Sequence, residues 1–257
     1  MIELNKVYNE TNLETLSKLP DDSVDLVITS PPYNMNLRIR YGKYCSRQIT
    51  KEFTTKYEGF EDNLPIDEFY ELHSSIIKEL LRVSPIIFYN IQIVTGSKRA
   101  FFKIIGDSNE YLKDIFIWDK GHGQPAMLKN VANRRTELLL IFDSKNAISR
   151  QFSKCNFDRG TLDDIWEIKR GRKITKTHSA VFPEELIDKI ITLFSNEGDL
   201  IYDAFMGTGT TAVSAIKNNR NWIGSEVISN YCDIVEKRTK EMIEEISNQK
   251  TTTYNDQ

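Results

Sequence analysis

Two short stretches carry residue types that together could do chemistry. The first, Thr29-Ser30-Pro31-Pro32-Tyr33-Asn34, follows directly on the apolar run Leu26-Val27-Ile28. Two prolines fix the backbone there and remove its amide donors, so the segment presents carbonyl acceptors, the Ser30 hydroxyl and an aromatic face. Such a site suits a planar amine. An exocyclic amino group is a poor nucleophile because its lone pair is delocalised into the ring or carbonyl. Acceptors at Ser30 Oγ and the Pro31 carbonyl would bind both N–H groups and draw the nitrogen toward tetrahedral geometry, with Tyr33 stacked on the ring. The lone pair can then attack a methylsulfonium in line, by positioning and electrostatics and without a cysteine nucleophile. Taken alone, Pro-Pro-Tyr also occurs in ordinary turns.

The second stretch, Asp203-Ala204-Phe205-Met206-Gly207-Thr208-Gly209-Thr210-Thr211, lies where a strand should end and a helix begin. Its glycines let the backbone pass close to a ligand, and a nucleoside fits such a turn. Glu226 follows the next strand, near the spacing at which an acid accepts hydrogen bonds from a ribose diol. A nicotinamide dinucleotide would also suit this pattern, as would a tight turn with no ligand at all. The third glycine of the dinucleotide fingerprint is missing, and Asp203 would repel a pyrophosphate while welcoming an ammonium group. That favours S-adenosylmethionine, whose amino-acid end is zwitterionic.

These stretches need elements to hold them. Leu26-Val27-Ile28 reads as a buried strand entered from Pro20-Asp21-Asp22-Ser23 and stopped by Pro31-Pro32. Phe69, Leu72, Ile76, Ile77, Leu80 and Leu81 recur at helical spacing from Asp67 to Pro85. Residues 86–90, 115–118 and 138–142 are strand-like, with intervening segments that read as crossovers. A helix follows Pro183, and then strand, helix, strand, helix over 200–202, 210–218, 222–224 and 231–246. This alternation predicts an α/β fold, a doubly wound and mostly parallel sheet. Residues 144–176 interrupt it and read as a short basic insertion between halves at 1–143 and 177–257, with a polar tail from Asn248.

At 257 residues, with 40% apolar residues and 28% charged, the chain is long enough for one large domain with a substantial core. No apolar run approaches the length of a membrane span, and the first six residues lack a secretory pattern, so the sequence predicts a soluble cytoplasmic protein with no membrane partner. Three separated cysteines, Cys45, Cys155 and Cys232, exclude a disulfide framework and a Cys-x-x-Cys site, and no metal is expected. The net charge of -3 hides an asymmetry. Residues 34–56 carry six basic groups against one acid, and residues 145–178 carry nine against four, so each segment is +5 on a body of -13. Two solvated loops would explain this, and so would two surfaces that meet a polyanion.

In combination the sequence resembles the amino-methylating DNA methyltransferases, the cytosine-N4 and adenine-N6 family, in the circularly permuted order that places the catalytic half before the cofactor half. Residues 19–34 are similar to the family's catalytic element throughout. Ile117-Trp118-Asp119-Lys120 and residues 135–142 resemble its middle elements. Residues 178–186 resemble the element that opens the cofactor half, and residues 201–211 its glycine turn. The resemblance implies the methyltransferase sheet and a site-specific enzyme of the restriction-modification type. It further implies S-adenosylmethionine as cofactor and duplex DNA as substrate, and leaves open whether a cognate endonuclease and a homodimer belong to the system. By position, Ser30, Pro31, Pro32 and Tyr33 hold the target base. His178, Ala180, Phe182, Asp203, Phe205, Gly207, Gly209, Thr210, Thr211 and Glu226 line the cofactor site. Alone, His178 reads as a packing or capping residue. Thr11 stands where the family usually has an acid before Leu-Glu, and is carried to the cofactor site by that position. The usual Lys-Pro-Gly is absent around Arg82-Val83-Ser84-Pro85.

Within the family a serine before Pro-Pro-Tyr is typical of cytosine N4, and an aspartate of adenine N6; the Ala180, Phe182, Pro183 pattern also leans to cytosine. A duplex base must be flipped out of the stack before it is methylated. Arg38, Arg40, Lys43 and Arg47 would then lie beside the pocket, and Lys169, Arg170, Arg172 and Lys173 would reach a groove. Adenine N6 is the alternative target. Methylation of a protein glutamine or of RNA, and an idle DNA-binding protein, are further readings that the two basic segments or the intact Ser30–Tyr33 element disfavour. Carbon-5 methylation is disfavoured because none of the cysteines follows a proline.

Overall fold

The computed structural model describes residues 2–35, 37–40, 43–46, 62–124, 129–171 and 182–255. The chain opens with β1 (Lys6–Tyr8) and α1 (Asn12–Lys18). A capping box starts this short helix: the Thr11 hydroxyl accepts from the Glu14 amide, and the Glu14 carboxylate accepts from the Thr11 amide. β2 (Leu26–Thr29) is buried along its whole length. A hairpin of β3 (Leu37–Arg40) and β4 (Lys43–Ser46) follows the proline pair. α2 (Ile66–Val83) buries Phe69, His73, Ile76, Ile77, Leu80 and Val83, one face at helical spacing, and stops two residues before Pro85, the residue ahead of a proline being poorly suited to helix.

The middle of the chain supplies β5 (Ile86–Ile91), α3 (Lys98–Asp107), β6 (Leu112–Gln124), β7 (Arg134–Asp143) and β8 (Ile165–Glu167). The last part gives α4 (Glu184–Phe194), β9 (Leu200–Asp203), α5 (Thr210–Lys217), β10 (Asn221–Ser225) and α6 (Ser229–Asn255). The strands form one sheet in the order β1-β10-β9-β2-β5-β7-β6-β8, and all but β7 run in one direction. Helices cover both faces: α4, α5 and α6 enclose one core cluster, and α1, α2 and α3 the other. The sheet is therefore doubly wound and mostly parallel, as the alternation predicts. Among the described residues no helix is long and apolar enough to cross a membrane.

Three expectations are corrected. β6 and β7 are not joined by a crossover. They pair antiparallel, with β7 slotted between β5 and β6. Both strands run well beyond their apolar centres, and the connection left between Gln124 and Arg134 is too short for a crossover helix. The described part of the expected insertion, residues 144–171, belongs to the sheet and its covering layer. β8 extends the sheet beside β6, Trp166 is 2% exposed, and Phe152 and Phe157 meet the Phe194 ring at 5.1 and 5.7 Å. Its charges are also partly engaged: Lys154 pairs with Asp25 at 2.9 Å and Asp199 at 2.5 Å, and Lys145 with Asp22 at 2.8 Å. Aromatic anchors at irregular spacing leave no periodic signal, which is why the packing was not legible. Finally, the tail from Asn248 continues α6 to Asn255, there being no glycine or proline to end the helix.

If residues 144–171 are integral to the core, Trp166→Ala should destabilise the whole domain by about 3–5 kcal/mol. Urea unfolding would show this as a lowered midpoint of a single transition, whereas a peripheral insertion would leave the midpoint in place.

Candidate active site

β2 and β9 come from distant parts of the chain and lie side by side, with Leu26 opposite Ile201 and Val27 opposite Tyr202. Their carboxyl ends therefore meet. Thr29 Oγ1 donates to Asp203 Oδ1 at 2.8 Å in the buried space between them. Asp203 Oδ1 also accepts from the Phe205 amide at 3.0 Å, and Oδ2 from Thr211 Oγ1 at 2.6 Å. Burial raises the Asp203 carboxyl above its ordinary range, and these three donors oppose the rise. Asp203 thus braces the turn that follows it. Gly209, at φ 83°, caps α5 in the left-handed region, and a Cβ there would lie 3.0 Å from a Val235 methyl.

Glu226 lies just past β10. Its Oε2 accepts from the Gly207 amide at 2.8 Å and its Oε1 from the Ile228 amide at 2.9 Å. Burial pushes its carboxyl up to about 7, further than the amides of Ile228, Gly207 and Val227 can pull it down.

The Ser30–Tyr33 turn is held from beneath. Asp62 accepts from the Asn34 amide at 2.6 Å and the Met35 amide at 2.8 Å. The Asn34 side chain donates to the carbonyls of Leu64 and Gly96 at 2.8 and 3.1 Å. Gly96 sits so close that a Cβ would lie 2.0 Å from the Asn34 carbonyl oxygen. Inside the turn, Ser30 Oγ is 2.6 Å from the Tyr33 hydroxyl, which also meets Glu137 and Asn90.

A cavity of about 230 Å³ joins these parts. Ser30, Pro32 and Asn34 line one side; Asp203, Phe205, Gly207 and Glu226 line the other. Thr11, Phe182, Thr210 and Thr211 complete the set that the sequence singled out. Pro31, Tyr33 and Gly209 do not line it. Tyr33 corrects the expectation of an aromatic wall: its ring is 6% exposed and packs in the core, because the hydroxyl is drawn inward by polar partners. Thr11 reaches the cavity with its hydroxyl already engaged by Glu14.

Residues 24–237 match the family model of N6 and N4 methyltransferases described as DNA methylase. The chain belongs to the N6/N4 DNA methylase family. The orphan methyltransferase M.BamHII of Bacillus amyloliquefaciens is 29% identical over 265 residues, which span 87% of this chain and 91% of the relative. Among solved structures, the PvuII DNA methyltransferase (cytosine-N4-specific) aligns with a TM-score of 0.67 at 18% identity, covering 93% of this chain and 89% of its own. TTHA0409 from Thermus thermophilus, complexed with S-adenosyl-L-methionine, aligns with a TM-score of 0.64 at 20% identity, covering 93% and 95%. The fold of this DNA methylase is that of known DNA methyltransferase structures.

Of the basic residues singled out, Lys169 and Arg170 are exposed immediately beyond β8, past the same sheet edge as Thr29 and Asp203. Arg38, Arg40 and Lys43 lie on the β3–β4 hairpin that leaves the proline turn. His178, Ala180, Arg47, Arg172 and Lys173 fall outside the described residues. The cavity also uses residues with no motif, among them Glu10, Asn12, Asp62 and His73. His73 is fully buried, with Nδ1 2.6 Å from the Tyr89 hydroxyl; burial pushes it down to about 3, so it is a neutral wall at physiological pH. Glu10 adjoins Thr11 and was in reach of the sequence; Asp62 and His73 were not.

Gly96→Ala should destabilise this methylase by about 1–3 kcal/mol, because the Asn34 carbonyl must move to admit the methyl group. Urea unfolding measures the loss. Substituting Gly106, which has open space around it, should not reproduce the effect.

Proposed function

We propose that this methylase transfers the methyl group of S-adenosylmethionine to the N4 amine of a flipped cytosine at a specific site in double-stranded DNA. The observation that carries the reading is that Ser30 and Glu226, from opposite parts of the chain, line one cavity across the Thr29–Asp203 hydrogen bond.

The residues present fit the cofactor. Glu226 accepts from backbone amides, lines the cavity, and is a buried carboxylate whose remaining lone pairs suit hydroxyl donors. A ribose diol supplies such donors. Asp203 places negative charge where an ammonium group would sit, and the Gly207 backbone allows close approach. When bound, the cofactor provides an electrophilic methyl group on a sulfonium.

The rest is done by this chain. Ser30 Oγ accepts an N–H of the target amine and turns the nitrogen lone pair toward the methyl group, which contributes positioning rather than covalent chemistry. Flipping the base costs a few kcal/mol and must be offset by contacts to the DNA. On this reading Lys169 and Arg170, with Arg38, Arg40 and Lys43 on the hairpin that follows the proline turn, meet phosphates. Arg47, Arg172 and Lys173 extend the two basic segments, and His178 and Ala180 are assigned to the cofactor side by the family pattern. Serine before Pro-Pro-Tyr favours cytosine over adenine. A cognate endonuclease and a second copy of the chain are the further partners this reading carries.

Nucleoside mass spectrometry of DNA incubated with the protein and cofactor should detect N4-methylcytosine. N6-methyladenine would move the target to adenine, and label found in protein or RNA but not DNA would overturn the reading. Tyr33→Ala should lose most turnover with cofactor affinity retained, whereas Glu226→Ala should weaken cofactor binding about tenfold or more.

A pH dependence follows. Hydroxyl donors need the Glu226 carboxylate, which in the free protein is mostly protonated below about 7. Cofactor affinity should therefore rise about tenfold between pH 6 and pH 8 and then level off. Calorimetry on Glu226→Ala should show no such rise.

A further inference from the structure

We propose that the buried Glu137–Lys120 pair, acting through the Tyr33 and Asn90 side chains, fixes Ser30 as a hydrogen-bond acceptor and so makes the pocket select an amine over a carbonyl. The inference rests on the amine-methylating reading above and adds what sets its selectivity.

Lys120 is wholly buried, and its Nζ lies 2.9 Å from Glu137 Oε1. Glu137 is only 11% exposed. Its second oxygen, Oε2, meets Asn90 Nδ2 at 2.8 Å and the Tyr33 hydroxyl at 3.1 Å. A carboxylate only accepts, so every neighbour must turn a proton toward it. Asn90 obeys. Its Nδ2 faces Glu137, the Tyr33 oxygen at 2.6 Å and Ser30 Oγ at 3.3 Å, while its Oδ1 is buried with no hydrogen-bond partner among the described residues.

Tyr33 has one hydroxyl proton, and both the Glu137 carboxylate and the neutral Ser30 oxygen lie within reach of it as acceptors. The charged acceptor binds it more strongly. Ser30 must then give its own proton to the Tyr33 oxygen, 2.6 Å away. The chain of donors runs from Ser30 to Tyr33 to Glu137, and Ser30, which lines the cavity, is left with lone pairs for a ligand. An amine N–H is accepted there. A carbonyl oxygen meets lone pair against lone pair. Cytosine and uracil, and adenine and hypoxanthine, differ in this group and in the proton on the neighbouring ring nitrogen, and Ser30 reads the first of these differences, so the pocket rejects deaminated bases. Glu137, Lys120, Asn90 and Tyr33 are positioning residues in this scheme, and Tyr33 acts through its hydroxyl, its ring being packed in the core.

Two variants test it in the full chain. Tyr33→Phe keeps the ring and breaks the donor chain. Glu137→Gln offers a donor where only an acceptor stood, which lets the chain reverse and turns the Ser30 proton to the cavity. The methylated site is first mapped by sequencing DNA from cells expressing the wild type. Binding is then compared, with S-adenosylhomocysteine present, between a duplex bearing that site and the same duplex with its target base deaminated. The cost of flipping is common to all variants and cancels in the comparison.

Tyr33→Phe should lower kcat about tenfold, the worth of one hydrogen bond, with the cofactor Kd unchanged. Glu137→Gln should shrink the preference for the amine duplex about tenfold relative to the wild type. Wild-type kcat in Tyr33→Phe, or an undiminished preference in Glu137→Gln, overturns the inference. Should Glu137→Gln fail to fold, Tyr33→Phe decides alone. A wild type that methylates no DNA ends the underlying reading and this inference with it. An active wild type with indifferent variants ends only the inference.

Discussion

The hydrogen bond from Thr29 to Asp203 is the constraint on which the site depends. It closes the gap between two adjacent parallel strands whose residues are far apart in sequence, so its geometry is set by the sheet and not by local turns. Once β2 and β9 are paired, the proline turn and the glycine turn must leave the same sheet edge side by side. The cavity is what lies between them. This is the crevice that doubly wound sheets offer at the carboxyl ends of their strands.

Burial raises both carboxyls of the site and lowers its histidine. Asp203 is held by donors on both oxygens and works as a brace, while Glu226, held by backbone amides alone, has its carboxyl raised to about 7 by burial. His73 is held neutral by the same burial and forms part of an apolar wall with Phe69 and Ile76. Below the turn, Lys120 and Glu137 form a pair that is costly to desolvate and would be worse unpaired, so it locks the strands β6 and β7 in register around Ser30.

Much of this was legible in the sequence because it rests on local rules. Prolines after an apolar run, glycines before a helix, and an acid past the following strand each have a short-range cause, and all three signals led to residues at one cavity or its edge. The antiparallel insertion of β7 was not legible, since an apolar strand carries no mark of its direction. β1 and α1 were overlooked because a three-residue strand and a seven-residue helix show too little periodicity to register, whereas α3 buries Ala100, Phe101 and Ile104 at helical spacing and was in reach of the sequence. The basic segment after Ser144 was misread as peripheral because its anchors, Phe152, Phe157 and Trp166, are spaced by the surface they cover and not by a helix or strand period. The tyrosine of the proline turn was expected to face the ligand. Its inward orientation depends on Asn90 and Glu137, which only the sheet brings near.

Asp62 grips the amides of Asn34 and Met35, so the chain departs from the turn and comes back to it at a single neck. Met35 and Asp62, the two sides of that neck, are thus pinned to the body of the molecule. Closing a longer or shorter loop over a fixed neck changes the entropic cost only slowly with length. A change of length between those two points therefore leaves Ser30 where the sheet puts it.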